Sequence, residues 1–364
     1  MSLVLTRTQN MRANSNFDKN ELRGSRYGAL NAFMTQSEDP NGILTQELKD
    51  KARISIGSTL ETPVIDYDGS ISIDNTRTVT ISDSENTSHM VSITFATYAW
   101  GFTIVPAMFM NNEISMQRDF ETKMLKYIYK FAATLDGVGL THLGTNKTQQ
   151  FNNSLLYTVS SNIVKASYLQ RESFFGDIDV MMQANDFYRG IDIIGDAGVQ
   201  SIYNKLRQYG AANVLNKANE FGDKNVYFTN NMTAVNGVYA QGYAVEQGNL
   251  GILTRFERES LLRTRSRDGH EWDIVRLPII NMEVGTYFYD SVGDYNAIAG
   301  AATADLTRAR KEHYGFAVDV AFVSAYNSAL AAAGGNPARP NPIMAFQVLS
   351  EGAAPGILVH NTGN

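Results

Sequence analysis

The chain has 364 residues, 43% hydrophobic and 19% charged, enough apolar side chain for a sizeable core spread over two or three compact units. Lys and Arg number 31 against 37 Asp and Glu, a net charge of −6, so the basic footprint of a dedicated nucleic-acid binder is missing. The absence of cysteine excludes disulfides, thiolate metal sites and cysteine nucleophiles, and five histidines leave metal chemistry short of ligands.

Leu3-Val4-Leu5 is too short for a signal-peptide core. The most apolar stretch, residues 98–110, falls short of the roughly 20 residues of a spanning helix and is interrupted by Pro106. The expectation is a soluble protein made in a reducing cytoplasm.

Residues 1–55 are polar and poorly patterned. Arg7, Arg12, Arg23 and Arg26 and several asparagines surround isolated apolar residues such as Met11, Phe17 and Leu30. Alone, such a segment buries too little apolar surface to offset its ordering entropy. It is expected to be an arm held by a neighbouring subunit, with wrapping onto its own domain as the weaker alternative.

Residues 62–110 read as strands. Ile71, Ile73, Val79, Ile81, Val91, Ile93 and Phe95 alternate with Ser72, Asp74, Thr80, Ser82, Ser92 and Thr94, apolar on one face and hydroxyl-rich on the other. Polar turns at 74–77, which end on Arg77, and at 83–88 interrupt the run. A long hairpin of this kind is marginal in water and needs a partner along its apolar side, ordinarily its own domain.

Residues 113–136 carry the clearest helical signal. Phe120, Met124, Ile128, Phe131 and Leu135 form one stripe, Asn112 suits the cap, and Gly137 suits the stop. About 24 residues give a rod of roughly 36 Å. Further on, Ile178 to Met182 read as a strand, and Asn185 to Tyr188 as a capped helix start with Ile191 and Ile194 inside. Residues 199–214 read as a helix, and 225–229, 237–245, 251–256, 271–277, 279–290 and 303–328 as strands. Four of the prolines fall after Ala329, so the tail reads as a linker or wrapping segment with a short strand at 357–359.

No catalytic motif stands out. The run from Gly139 to Thr148 approaches a phosphate loop, but Thr145 and Asn146 follow Gly144 where Lys and Ser or Thr belong, so it reads as a loop after the helix. Asp66-Tyr67-Asp68-Gly69 lacks the spacing and closing Glu of a calcium loop. His89, His142, His270, His313 and His360 are scattered. Arg255, Arg258, Arg263, Arg265 and Arg267 interleave with Glu257, Glu259, Asp268 and Glu271. The plainer reading is a salt-bridged strand edge, and the sharper one is an inter-subunit contact made by arginine forks.

The order of elements (polar arm, extended hairpin, long helix, mixed α/β region, return to strands) resembles the major capsid proteins of tailed bacteriophages, the Hong Kong 97-type fold. The resemblance implies an α+β chain with an N-terminal arm at 1–55 and an extended loop at 56–98. It implies a peripheral domain from 99–174 and 271–328 with its spine helix at 113–136, an axial domain at 175–270, and a tail at 329–364. It implies a structural, non-enzymatic protein without cofactors, self-assembling as hexamers and pentamers into an icosahedral shell around double-stranded DNA. Scaffolding, portal and decoration proteins are the further partners, DNA contact is non-specific, and no membrane is involved. Assembly is expected in the host bacterial cytoplasm and the final location is the virion capsid.

Met11, Phe17, Ile71, Ile73, Arg77, Val79, Ile81, Arg255, Arg258 and Arg263 are the expected inter-subunit contacts. No lysine lies between Lys51 and Lys123, so the lysine–asparagine crosslink of some members is not carried over. A start at Met1 points to a separate scaffolding protein instead of a long cleaved leader. The competing readings are a bacterial nanocompartment shell of the same fold, a β-rich hydrolase with two converging carboxylates, and a phage tail or connector protein.

Overall fold

The computed structural model describes residues 3–13, 27–55, 57–65, 88–109, 115–148, 157–185, 187–212, 224–256, 266–267, 270–278, 280–295, 307–325 and 341–351. They form an α+β structure with two six-stranded sheets and a separate two-stranded hairpin.

The first sheet is built on β13 (Thr307–Ser324), an 18-residue strand. It pairs with β12 (Glu283–Tyr295), β3 (Ala96–Ile104) and, at its far end, β9 (Leu250–Arg255). Beyond β12 lie β11 (His270–Arg276) and β10 (Ser266–Arg267). Period-two burial along β13 puts Tyr314, Phe316, Val318 and Val320 on one face. That face is covered by α4 (Met116–Asn146), whose Phe120, Met124, Ile128, Phe131 and Leu135 are buried against it. Phe102 meets Phe120 edge-on at 5.5 Å between ring centroids, and Trp100 lies 4.5 Å from Phe131.

The second sheet has the order β4-β5-β14-β8-β6-β7. Its strands are β4 (Thr158–Ser160), β5 (Ile163–Ala166), β6 (Ile191–Gly195), β7 (Asn225–Phe228), β8 (Val238–Glu246) and β14 (Ile343–Leu349). One face carries Val164, Ile193, Ala240, Ala244, Phe346 and Val348. These pack under α5 (Phe174–Gln183) and α6 (Ala197–Ala212). The other face presents Ile194, Val245 and Ile343 to α2 (Gly28–Ser37) and to Leu140 and Leu143 of α4. Phe33 of α2 sits at this junction, edge-on to Phe322 of β13 at 4.9 Å, so α2 joins the two sheets.

Several expectations are corrected. Where it is described, at 3–13 and 27–55, the N-terminal segment is largely helical, with α1 (Leu3–Ala13), α2 and α3 (Gln46–Ile54). Val4, Met11 and Leu30 are fully buried in the chain's own core, so the weaker alternative of wrapping its own domain holds for these residues. Helix α4 starts with Ser115 as cap, its Oγ accepting from Arg118 N at 3.2 Å, and passes through Gly137 to Asn146. It runs on because Leu140 and Leu143 extend the apolar stripe onto α2. The run from Gly139 to Asn146 is therefore helix, not loop. At 31 residues the rod is about 46 Å long. Asn112 lies outside the described residues.

Residues 178–182 are helical, because Phe174, Phe175, Ile178, Met181 and Met182 are buried at helical spacing. Ile191 and Ile194 instead lie on a strand, β6, whose five residues are all buried. A strand covered on both faces shows a continuous apolar run without alternation. The same reason explains β14, a central strand where a linker-like tail was expected. β4, β5 and β14 pair in the second sheet, and β9 pairs in the first. The 357–359 strand lies outside the described residues.

Candidate assembly interface

Among the described residues the hairpin of β1 (Thr59–Ile65) and β2 (Ser88–Thr94) forms a sheet of its own, in register from Thr59 opposite Thr94 to Ile65 opposite Ser88. Its root is packed: Leu60, Ile93 and Phe95 are buried against Leu44, Ala52, Leu253 and Ala321. Ser92 and Thr94 face solvent between them, as the alternation requires. Away from the root, Met90 on β2 is 55% exposed.

The root is clamped by Arg255 at the end of β9. Its Nε donates to Asp319 Oδ2 at 3.1 Å, and its Nη1 donates to Ser55 O at 3.2 Å and Ser55 Oγ at 3.1 Å. Its Nη2 donates to the carbonyl oxygen of Gly57, and its guanidinium lies 4.2 Å from the centroid of the Phe95 ring. Thr97 Oγ1 donates to the other oxygen of Asp319 at 2.6 Å.

A second projection comes from the first sheet. β12 and β13 pair from Tyr295 opposite Thr307 to Asp290 opposite Glu312, past the end of β3 at Ile104. Val292 on this ribbon is 66% exposed. At its base Tyr289 stacks on His313 at 4.4 Å between centroids. His313 Nε2 lies 2.7 Å from Ser291 Oγ, and its Nδ1 lies 3.1 Å from Thr103 Oγ1. Burial and the nearby Lys311 ammonium lower its pKa, opposed by Asp290. A serine–histidine contact is present here, but the second ring nitrogen meets a hydroxyl where an imidazolium would need a carboxylate.

The buried carboxylates are structural. Asp136 accepts from Leu30 N at 3.0 Å, Thr229 Oγ1 at 2.5 Å and Asn231 Nδ2 at 2.8 Å. Asp192 accepts from Gln36 and Gln247, both at 2.8 Å, and from Asn225 at 3.0 Å. Glu312 accepts from Arg7 at 3.2 Å and from Tyr314 OH at 2.7 Å, fastening α1 across the first sheet. Burial and this hydrogen bond raise the Tyr314 pKa strongly. Each of these three carboxylates accepts from at least one donor on another element, in an arrangement that positions helices and strands. A groove of about 480 Å³ between α4 and the second sheet is lined by Thr141, Lys147, Gln241, Tyr243 and Gln347, with no carboxylate or histidine among its described lining residues. Among the described residues no three acidic or histidine side chains gather to hold a metal ion.

The expected contact residues divide sharply. Met11 is fully buried and Arg255 is 8% exposed, both within their own chain, so neither offers its side chain to a neighbour. Among the described residues the carboxylate that Arg255 pairs with is Asp319, 64 residues away. Phe17, Ile71, Ile73, Arg77, Val79, Ile81, Arg258 and Arg263 lie outside the described residues, as does the 66–69 turn. Sequence reading missed Ser55, Gly57 and Asp319. Only Gly57, a glycine between a helix and a strand, carried any local signal.

No protein-family model and no curated protein matches the chain. Among solved structures it is similar to one from Mycobacterium phage Che8, with 9% identity and a TM-score of 0.46 over 83% of this chain and 88% of that one. It is also similar to the capsid of Ralstonia phage GP4, with 8% identity and a TM-score of 0.44 over 84% and 87% of the two chains. The capsid structure of cyanophage P-SCSP1u shares 11% identity with a TM-score of 0.43 over 82% and 85%.

Proposed function

We propose that the chain is a major capsid protein that self-assembles into a closed icosahedral shell around double-stranded DNA. The observation that carries this reading is the β1–β2 hairpin, which has a packed root and, among the described residues, no sheet partner beyond itself. A two-stranded ribbon is marginal in water unless a further surface covers it, and a neighbouring copy supplies that surface in a symmetric assembly. Large obligate interfaces of this kind stabilise a shell without a thick core.

In this reading the first sheet with α4 is the peripheral domain of a Hong Kong 97-type subunit, the second sheet is the axial domain, and the hairpin is the extended loop. The partners are further copies in hexamers and pentamers, with scaffolding, portal and decoration proteins, and the site of assembly is the host cytoplasm. Net negative charge keeps DNA from sticking to the shell.

Negative-stain electron microscopy and sedimentation of the purified chain test the reading. Closed shells or capsomers are expected, with nucleic-acid content separating a virion from a nanocompartment. A stable 40.2 kDa monomer under all assembly conditions would overturn it. Replacing residues 66–87 with a short Gly-Ser turn is expected to leave both sheets folded and abolish shells. Normal shells from that variant would remove the hairpin from the mechanism.

A further inference from the structure

We infer that Arg255 is a latch that fixes the direction in which the hairpin leaves the body, with Gly57 as the pivot. The hairpin joins the body through two chain crossings, Ser55 to Ser58 and Phe95 to Thr97. Arg255 engages both. It holds the carbonyls of Ser55 and Gly57 on the first crossing and covers the Phe95 ring on the second. Its own position is fixed by Asp319, which lies directly opposite it in the β9–β13 register and also binds Thr97.

Four hydrogen bonds and one ring contact use the planar fork of the guanidinium, a geometry that a lysine ammonium cannot reproduce. Gly57 has φ of +102° and open space where a Cβ would stand, so the backbone there has a freedom the neighbouring residues lack. With a free pivot beside it, a multidentate clamp adds to the apolar packing of the root a directional hold that depends on one side chain. An interface element held in its working direction before contact loses less freedom on association.

The inference deepens the assembly reading in its consequence, while the latch itself belongs to the isolated chain. The chain has no native cysteine, so spin labels can be placed at Met90→Cys on the hairpin and Thr134→Cys on the exposed side of α4. Wild-type chain is expected to give one narrow distance distribution, and Arg255→Met a broad one. Arg255→Lys is expected to behave like Arg255→Met, because the fork is required. Amide exchange in the root, at Leu60, Glu61 and Ile93, is expected to rise about tenfold or more, with β8 and β14 unchanged.

Asp319→Ala, at a side chain 25% exposed, keeps the test available if Arg255→Met does not fold. It is expected to broaden the distribution in the same direction. Equally narrow distributions and unchanged root exchange in a folded variant would overturn the latch. A wild-type chain that never assembles yet shows the narrow-to-broad change would leave the latch standing and sink the shell reading.

Discussion

Asp136→Ala isolates the joint between the two sheets. Asp136 is fully buried, and its carboxylate receives the backbone N–H of Leu30 at the start of α2, the Thr229 hydroxyl after β7, and the Asn231 amide. Truncation leaves the first two donors buried without an acceptor, while Asn231, at an exposed position, turns to water. At about 1.5–2 kcal/mol per buried donor, and with some relief from removing a desolvated charge, the expected loss is about 3 kcal/mol. Asp136→Asn keeps one acceptor oxygen and is expected to lose about 1 kcal/mol.

Urea unfolding reads this in two ways at once. The only two tryptophans, Trp100 and Trp272, lie on β3 and β11 of the first sheet, whereas far-ultraviolet circular dichroism reports both sheets. Weakening the α2–α4–β7 joint is expected to separate the fluorescence and dichroism midpoints, which coincide when the two cores unfold together. An Asp136→Ala protein within about 0.5 kcal/mol of wild type, with coincident transitions, would refute the reasoning.

Gly198→Ala is expected to destabilise by about 1–3 kcal/mol despite the better helix propensity of alanine, read as a fall in thermal midpoint. The new Cβ would stand 2.7 Å from Ala240 Cα and nearer still to the Tyr239 carbonyl oxygen, backbone atoms that cannot yield, so α6 must lift off β8. A second expectation concerns acid. Burial lowers the His142 pKa below its ordinary 6.5, so the folded state binds fewer protons there than the unfolded chain. The stability held by neutral His142 is complete above 6.5 and is lost as pH falls from that value toward the lowered one. His313 is shifted in the same direction. His142→Gln is therefore expected to flatten the loss of stability between about pH 7.5 and 5.5, and an unchanged slope would count against it.

What the sequence showed was what local periodicity can encode. The α4 stripe and the alternation at Ile93 and Phe95 could be seen directly, because one face of each is buried and the other is wet. β6 and β14 were opaque for the opposite reason: covered on both faces, they have no alternation to read. The stop at Gly137 failed because a glycine ends a helix only where the chain takes the left-handed turn, and here Leu140 and Leu143 had apolar surface ahead of them. The Arg255 clamp was beyond reach, since its partners lie 64 and about 200 residues away and only the folded topology brings them together.

The N-terminal segment shows how this changes an experiment. Read from its sequence as an arm, residues 1–30 invite deletion as a test of assembly, with the remaining body left folded. The structure argues otherwise. Val4, Met11, Tyr27 and Leu30 all lie in the first core, and Arg7 meets the buried carboxylate of Glu312. At roughly 1.5–3 kcal/mol for each buried side chain, the four together approach the whole stability of an ordinary domain. Deletion also takes from Glu312, 5% exposed, the nearer of its two arginines, leaving only Arg310 at 3.7 Å, and opens the face of Phe120 and Tyr314 that Arg7 covers. The truncated chain is expected to be aggregated or partly unfolded by circular dichroism, so its failure to form shells would say nothing about inter-subunit contact. A truncated protein with a wild-type melting transition would show that α1 and the start of α2 contribute little to the core. The hairpin, whose described attachment to the body is at its root, is the element whose removal separates assembly from folding.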